Sequence, residues 1–278
     1  MSNNEKENEV KRLENLLAKN MAQITAKILV LSNKGGVGKS STAVNIAISL
    51  SRKGAKVGLL DADMHGPSVA KMLGFEDKKL TIAEDGKIFP FSVNPNLVAI
   101  SMASFLENVD TPVIWRGPLK MSALRQFLAE VDWGKLDYLI IDSPPGTGDE
   151  PLSVCQLVKD LTGAIIVTTP QDIALLDSRK CVGFLRQLSV PILGILENMS
   201  GLTCPHCGKN IALFKSGGGE KSAKELNVPF LGRIPFDPRI VEASDSGKSF
   251  IELYPDSESA KTLDKICSSI DKKIRKLL

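Results

Sequence analysis

Residues 27–41 read Lys27-Ile28-Leu29-Val30-Leu31-Ser32-Asn33-Lys34-Gly35-Gly36-Val37-Gly38-Lys39-Ser40-Ser41. A short apolar run over 27–32 predicts a buried strand, and the segment after Ser41 predicts a helix to about Arg52. A glycine-rich turn between strand and helix, closed by Gly-Lys-Ser, is the pattern of a phosphate-binding loop. Glycines let successive backbone N–H groups face phosphate oxygens, and the helix N-terminus adds partial positive charge. In such a loop Gly35, Gly36, Val37, Gly38 and Ser41 line the phosphates, Lys39 reaches the outer ones, and the Ser40 hydroxyl ligates magnesium.

Similar apolar runs recur downstream at 56–61, 136–142, 164–169, 191–198 and 228–234, with helix-length segments between them. Strands apolar along their whole length are buried on both faces, so the pattern predicts an α/β fold: a mostly parallel twisted sheet covered by helices on both sides. Residues 78–104, punctuated by Glu84-Asp85-Gly86 and Asn94-Pro95-Asn96, predict a small hairpin insertion. Residues 1–24, in which four bases balance four acids up to position 20, read as a frayed tail and short helix. A single domain over 25–278 then includes a long loop at 199–220, with its Gly217-Gly218-Gly219 triplet, and a C-terminal helix.

Composition narrows the partners. The 278 residues are 43% hydrophobic and 24% charged, and 35 bases against 32 acids leave a net charge of +3, too small to imply a nucleic-acid-binding or membrane surface. Aromatics at 5% count against a stacking platform for single-stranded nucleic acid. No apolar stretch approaches a bilayer span, and the opening MSNNEKENEVKRLENLL has no signal-peptide core, so a cytoplasmic protein is expected. Residues 261–278 carry an apolar stripe at Leu263, Ile266, Cys267, Ile270, Ile274 and Leu277. It suits either a terminal helix packed on the core or a membrane-surface helix, and the lack of Trp or Phe favours the core.

Carboxylates stand where a parallel sheet presents its ligand crevice. Asp61 and Asp63 follow the strand at 56–61, Asp61 as an indirect support for magnesium. Asp142 ends the strand at 136–142, where it would hold magnesium through water, and residues 144–149 read as a switch loop. Asn198, at a strand end, offers an amide that matches the N6/N7 edge of adenine.

Five cysteines in a reducing compartment are not a disulfide framework. Cys204-Pro205-His206-Cys207 is a tight turn that points two thiolates the same way. Zinc or a typical iron-sulfur cluster needs four, so a site bridging two copies of the chain is the economical solution. A redox dithiol, bridging zinc and a labile cluster all stand open on the residues alone.

The Lys34-Gly35-Gly36-Val37-Gly38-Lys39-Ser40 form resembles the deviant phosphate loop of ParA/MinD-like ATPases. That resemblance implies ATP as ligand, homodimerisation, Lys34 crossing to the partner's ATP, and Asp63 positioning the attacking water. DADMHGPS at 61–68, WRGP at 115–118, DSPPGTGDE at 142–150, ENMSGLTCPHCG at 197–208 and RIPFD at 233–237 together resemble the Mrp/ApbC type of P-loop ATPase, carriers of iron-sulfur clusters. This implies that Asn198, Pro235 and Phe236 line the adenine pocket. It also implies that Cys204 and Cys207 of two protomers hold a bridging 4Fe-4S cluster, taken from cluster donors and delivered to apoproteins. The alternative is a positioning ATPase of the ParA/MinD kind with a zinc-bridged dimer.

Overall fold

Strands that are apolar on both faces can only be accommodated between two layers of helix, and that is the arrangement found. The computed structural model describes residues 3–64, 66–105, 117–171, 173–204 and 206–278. The strands are β1 Ile24–Leu31, β2 Val57–Asp61, β3 Thr81–Ile82, β4 Ile88–Phe89, β5 Phe91–Asn94, β6 Leu97–Ser101, β7 Leu136–Asp142, β8 Gly163–Thr168, β9 Ile192–Glu197, β10 Leu202–Thr203, β11 Asn210–Ile211 and β12 Phe230–Arg233. The helices are α1 Asn3–Ala22, α2 Lys39–Arg52, α3 Val69–Met72, α4 Gly117–Glu130, α5 Asp149–Leu157, α6 Ile173–Gln187, α7 Gly218–Glu225, α8 Pro238–Asp245, α9 Phe250–Leu253 and α10 Glu258–Leu277.

Eight strands form the main sheet in the order β12-β9-β8-β1-β7-β2-β6-β5. All neighbours run parallel except β5 against β6. β1 sits centrally between β7 and β8: from it the chain builds β2 and β6 on the β7 side, returns through β7, and then crosses β1 to continue with β8, β9 and β12 on the other side. This reversal of direction opens a crevice at its carboxyl end. Register places Asp61 beside Asp142 and Ser101 beside Asp61, so three polar side chains end adjacent strands at one level.

One face of the sheet packs against α2, α8, α9 and α10, the other against α1, α4, α5, α6 and α7. The α10 stripe lies in the first of these cores: Leu263, Ile266, Cys267, Ile270 and Ile274 are buried, and only Leu277, 59% exposed, leaves it. No helix among the described residues is long and apolar enough to cross a membrane.

Two expectations are refined. The stretch 78–104 contains the small hairpin, β3 with β4, but its second half joins the main sheet as β5 and β6. The amino-terminal segment is a 20-residue helix, longer than the short helix expected after a frayed tail. Leu13, Leu17 and Met21 of α1 enter the core, and Asn20 Nδ2 donates to the carbonyls of Ala129 and Val131 at the end of α4. Lys27 Nζ donates to the carbonyl of Met21, which the end of α1 leaves open, and to that of Ile24 at the start of β1.

Candidate functional site

The loop from Asn33 to Gly38 turns the chain from β1 into α2. Gly36 and Gly38 have φ of +78° and +80°, which L side chains rarely adopt. At Gly38 there is a second constraint: a Cβ would lie 2.1 Å from Asn198 Nδ2. Ser32 Oγ donates to the carbonyl of Lys34, and the Gly146 N–H donates to the carbonyl of Ser32. The phosphate loop and the loop after β7 are therefore fixed to the same strand end. Between them opens a cleft of about 620 Å³ lined by Lys34, Gly35, Gly36, Gly38, Lys39, Ser40, Ser41, Asp63 and Pro145. Val37 faces a neighbouring cavity with Lys34 and Met199.

Lys39 is 6% exposed and its Nζ lies 2.6 Å from Oδ1 of fully buried Asp142, while also approaching Ser40 Oγ at 3.2 Å. The other oxygen, Asp142 Oδ2, is buried without a hydrogen-bond partner. Burial pushes the Asp142 carboxyl up from the usual carboxylate range, against the pull of Lys39. Asp61 is raised too, first by burial and then by the charge of Asp142 beside it. Asp61 already accepts four hydrogen bonds, at Oδ1 from the Asp63 N–H and at Oδ2 from the N–H groups of Ser68 and Val69 and from Ser101 Oγ. It anchors the loop that carries Asp63. Asp63 itself is buried at the cleft and its Oδ1 accepts from the Gly66 N–H at 3.1 Å.

Lys34, nearly half exposed, turns away from the cleft floor and pairs with Asp177 of α6 at 2.8 Å. Asn33 Nδ2 donates to the other oxygen of the same carboxylate at 2.7 Å. Asn198 Nδ2 donates to the Val37 carbonyl at 2.9 Å, so its amide rests on the phosphate loop. Pro235 and Phe236 follow β12 alongside, where the Phe236 N–H donates to the Gly201 carbonyl and its ring meets the edge of Phe214 at 6.3 Å between centroids. Of the residues expected to line an adenine pocket, Asn198 stands against Gly38, while Pro235 and Phe236 follow β12, the strand next to β9.

The cysteine pair lies on a separate projection. β10 and β11 form an antiparallel ribbon whose turn is closed by Cys204 N–H to Lys209 carbonyl and Gly208 N–H to Cys204 carbonyl, both at 2.9 Å. Cys204 is half-buried and Cys207 exposed. Backbone N–H groups of Cys207 and His206, with the Cys207 side chain, hold the Cys204 thiol below its ordinary pKa. The remaining thiols are the opposite: burial pushes Cys155 and Cys267 up to about 11 and Cys181 up to about 12. Among the described residues no group of three or more His, Cys, Asp or Glu is placed to hold one metal ion. Trp115 and Arg116 of the WRGP motif, His65 and Pro205 lie outside the described residues.

Two residues central to this geometry have no counterpart among those expected. Asp177 lies within a helical stretch with nothing local to mark it. Glu197 ends an apolar strand as Asp61 and Asp142 do, a signal that was available beside Asn198.

A parallel sheet with a glycine-rich loop at its switch point, a buried lysine paired with the acid that ends the neighbouring strand, and a deviant second lysine define a P-loop nucleoside triphosphatase of the MinD/ParA type. The sequence model of the NUBPL iron-transfer P-loop NTPase family matches residues 23–271, and the chain belongs to that family. It is 49% identical over 258 residues to the iron-sulfur cluster carrier protein of Methanocaldococcus jannaschii, covering 93% of this chain and 88% of that one. Among solved structures, a nucleotide-binding protein from Archaeoglobus fulgidus in complex with ADP superposes with a TM-score of 0.75 at 34% identity, over 88% of this chain and 98% of that chain. The cell-division ATPase MinD of Pyrococcus furiosus shares the fold, with a TM-score of 0.62 at 22% identity over 90% and 99% of the two chains.

Proposed function

We propose that the chain is an ATP-hydrolysing carrier in which two protomers hold a 4Fe-4S cluster between them and pass it to apoproteins. The observation that carries this reading is the pair Cys204 and Cys207: two thiols of one turn, Cys207 exposed and Cys204 half-buried with its pKa lowered, in a chain that also carries a complete phosphate loop. Two thiolates are half of a four-thiolate site. Of the remote cysteines, Cys181 and Cys267 are buried and Cys155 half-buried, and burial raises the pKa of each, so a second copy is the source of ligands this reading takes. The family match and the name of the 49% identical relative support the cargo. A reducing cytoplasm suits the exposed thiols. In this reading residues 25–278 are the ATPase domain and residues 1–24 an N-terminal extension.

ATP lies in the cleft with its phosphates along the N–H groups of Gly35 to Ser41. Adenine is placed by Asn198, Pro235 and Phe236. The partnerless Asp142 Oδ2 and the adjacent Ser40 hydroxyl fit a magnesium ion, which when bound offsets phosphate charge. Asp61 supports that site indirectly by holding the backbone of residues 63–69. Lys39 leaves Asp142 for the outer phosphates, and Lys34 leaves Asp177 to reach the partner's ATP. Asp63 orients a water whose oxygen bonds the γ-phosphorus as the bond to the bridging oxygen breaks, giving ADP and a phosphate that keeps the water's protons.

Anaerobic reconstitution of the Cys204→Ala and Cys207→Ala proteins tests the ligand assignment. Each is expected to lose the iron that the wild type binds, whereas either variant retaining four irons per dimer would overturn it. Zinc recovered in place of iron and sulfide from the anaerobically purified wild type would favour a zinc-bridged dimer.

A further inference from the structure

The Gly217-Gly218-Gly219 triplet has no role in the phosphate site, yet each glycine is needed where it stands. Gly217 has φ +91°. A Cβ on Gly218 would lie 2.3 Å from the Pro170 carbonyl oxygen, and one on Gly219 2.9 Å from Glu197 Cβ. The triplet brings the return end of the cysteine loop against Glu197, whose side chain is completely buried. Both carboxylate oxygens are used: Oε1 accepts from the Gly217 N–H at 2.9 Å and Oε2 from the Gly219 N–H at 2.6 Å. The outgoing end of the same loop meets the same group, because Ser200 Oγ donates to Oε1, and the Ser200 and Ser216 hydroxyls lie 3.2 Å apart. Arg233 Nε, 3.5 Å away, balances the charge and also pairs with Glu220.

The next residue, Asn198, is bound to the phosphate loop through the Val37 carbonyl and fills the space over Gly38. Successive residues of a strand face opposite ways, so one strand end grips the cysteine loop on one side and the phosphate loop on the other. Met199, which follows, has φ +57°, a conformation non-glycine residues adopt only when their surroundings enforce it. Phe214, from the cysteine loop, lines a cavity with residues 33–37 of the phosphate loop and contacts Phe236.

We propose that Glu197 is a positioning residue that fixes both ends of the Cys204–Cys207 loop on β9 and, with Asn198, links the geometry of the two thiols to the state of the phosphate loop. This rests on the carrier reading for its purpose, but its readout needs no cluster. A carboxylate is required because a glutamine would turn an NH₂ group towards either the Gly217 or the Gly219 N–H.

The test is the alkylation rate of Cys204 and Cys207 by iodoacetamide, followed by mass spectrometry with and without Mg·ADP, with buried Cys267 as internal reference. In the wild type, nucleotide is expected to change the rate by about fivefold or more, the scale of a typical coupling between sites. In Glu197→Gln the basal rate rises and the nucleotide effect disappears, while ADP affinity stays within about twofold. If Glu197→Gln does not fold, Gly219→Ala disturbs the same contact from the loop side and is expected to give the same result. The same nucleotide effect in variant and wild type, or none in the wild type, would overturn the proposal. Failure of the wild type to load iron would instead overturn the carrier reading alone.

Discussion

Replacing Lys39 with methionine is a test of the buried pair at the base of the phosphate loop. The ammonium is 6% exposed and lies 2.6 Å from a carboxylate with no exposure at all. Removing one member of such a pair leaves the other as an uncompensated buried charge and costs about 3–5 kcal/mol. For a protein of this size each kcal/mol moves the melting temperature by about 2–4 °C, so Lys39→Met is expected to melt roughly 6–20 °C lower without nucleotide. Asp142 then takes up a proton more readily. Its folded pKa, already above the unfolded value, rises further, so the loss is greatest above that folded pKa and shrinks as pH falls. Lys39→Met/Asp142→Asn removes both charges and is expected to recover most of the loss, giving a coupling of about 2–3 kcal/mol in a double-mutant cycle. Urea denaturation of the four proteins at about pH 7.5 and about pH 5.5 measures all of this. A Lys39→Met protein within about 0.5 kcal/mol of the wild type, or a double variant less stable than the single, would refute the reasoning.

Gly38→Ala and Gly36→Ala separate backbone strain from collision. Both positions have positive φ, costing about 1–2 kcal/mol for alanine, but only at Gly38 does the new Cβ displace Asn198. Thermal melts should therefore show the larger loss for Gly38→Ala, together with weaker ADP binding, and equal losses would contradict the contact. Because Asp61 and Asp142 are raised above their unfolded pKa values, the nucleotide-free protein binds more protons folded than unfolded. Its stability contribution from these groups is expected to fall as pH rises from the unfolded carboxylate value through the folded ones. Stabilisation by Mg·ADP grows over the same interval, because the metal favours the ionised acids. A thermal-shift titration against pH checks the sign of both trends. Asp177→Asn is expected to change stability by less than about 1 kcal/mol, since the Lys34 side of the pair is nearly half exposed, yet to strengthen ATP-dependent self-association in sedimentation by releasing Lys34.

The parallel sheet was legible because its interior strands are buried on both faces and so carry apolar side chains at every position. The phosphate loop was legible because glycine, lysine and serine at that spacing have few other uses. β6 was harder to read: Leu97–Ser101 is as apolar as its neighbours, but the turn residues at 94–96 make it look like the arm of a local hairpin. The length of α1 follows from tertiary contacts, Leu13, Leu17 and Met21 against the core and Asn20 on the end of α4, which a charge-balanced segment does not advertise. An apolar stripe such as that of α10 has the same periodicity whether a core or a lipid surface covers it; packing against α2 and β12 decided for the core. Asp177 pairs with residues more than 140 positions away, a relation no local pattern encodes. Asn198 illustrates a further limit, since its residue type suggests a base edge but does not reveal that its Nδ2 also donates to the Val37 carbonyl.

In the proposed carrier, two copies of the chain together complete one cluster site. Native mass spectrometry of the anaerobically reconstituted wild-type protein tests it most directly. The expected species is a dimer carrying one unit of four irons and four sulfides, absent when Cys204 and Cys207 are replaced together. A monomer that retains iron and sulfide, or a dimer whose metal survives loss of both cysteines, would contradict it.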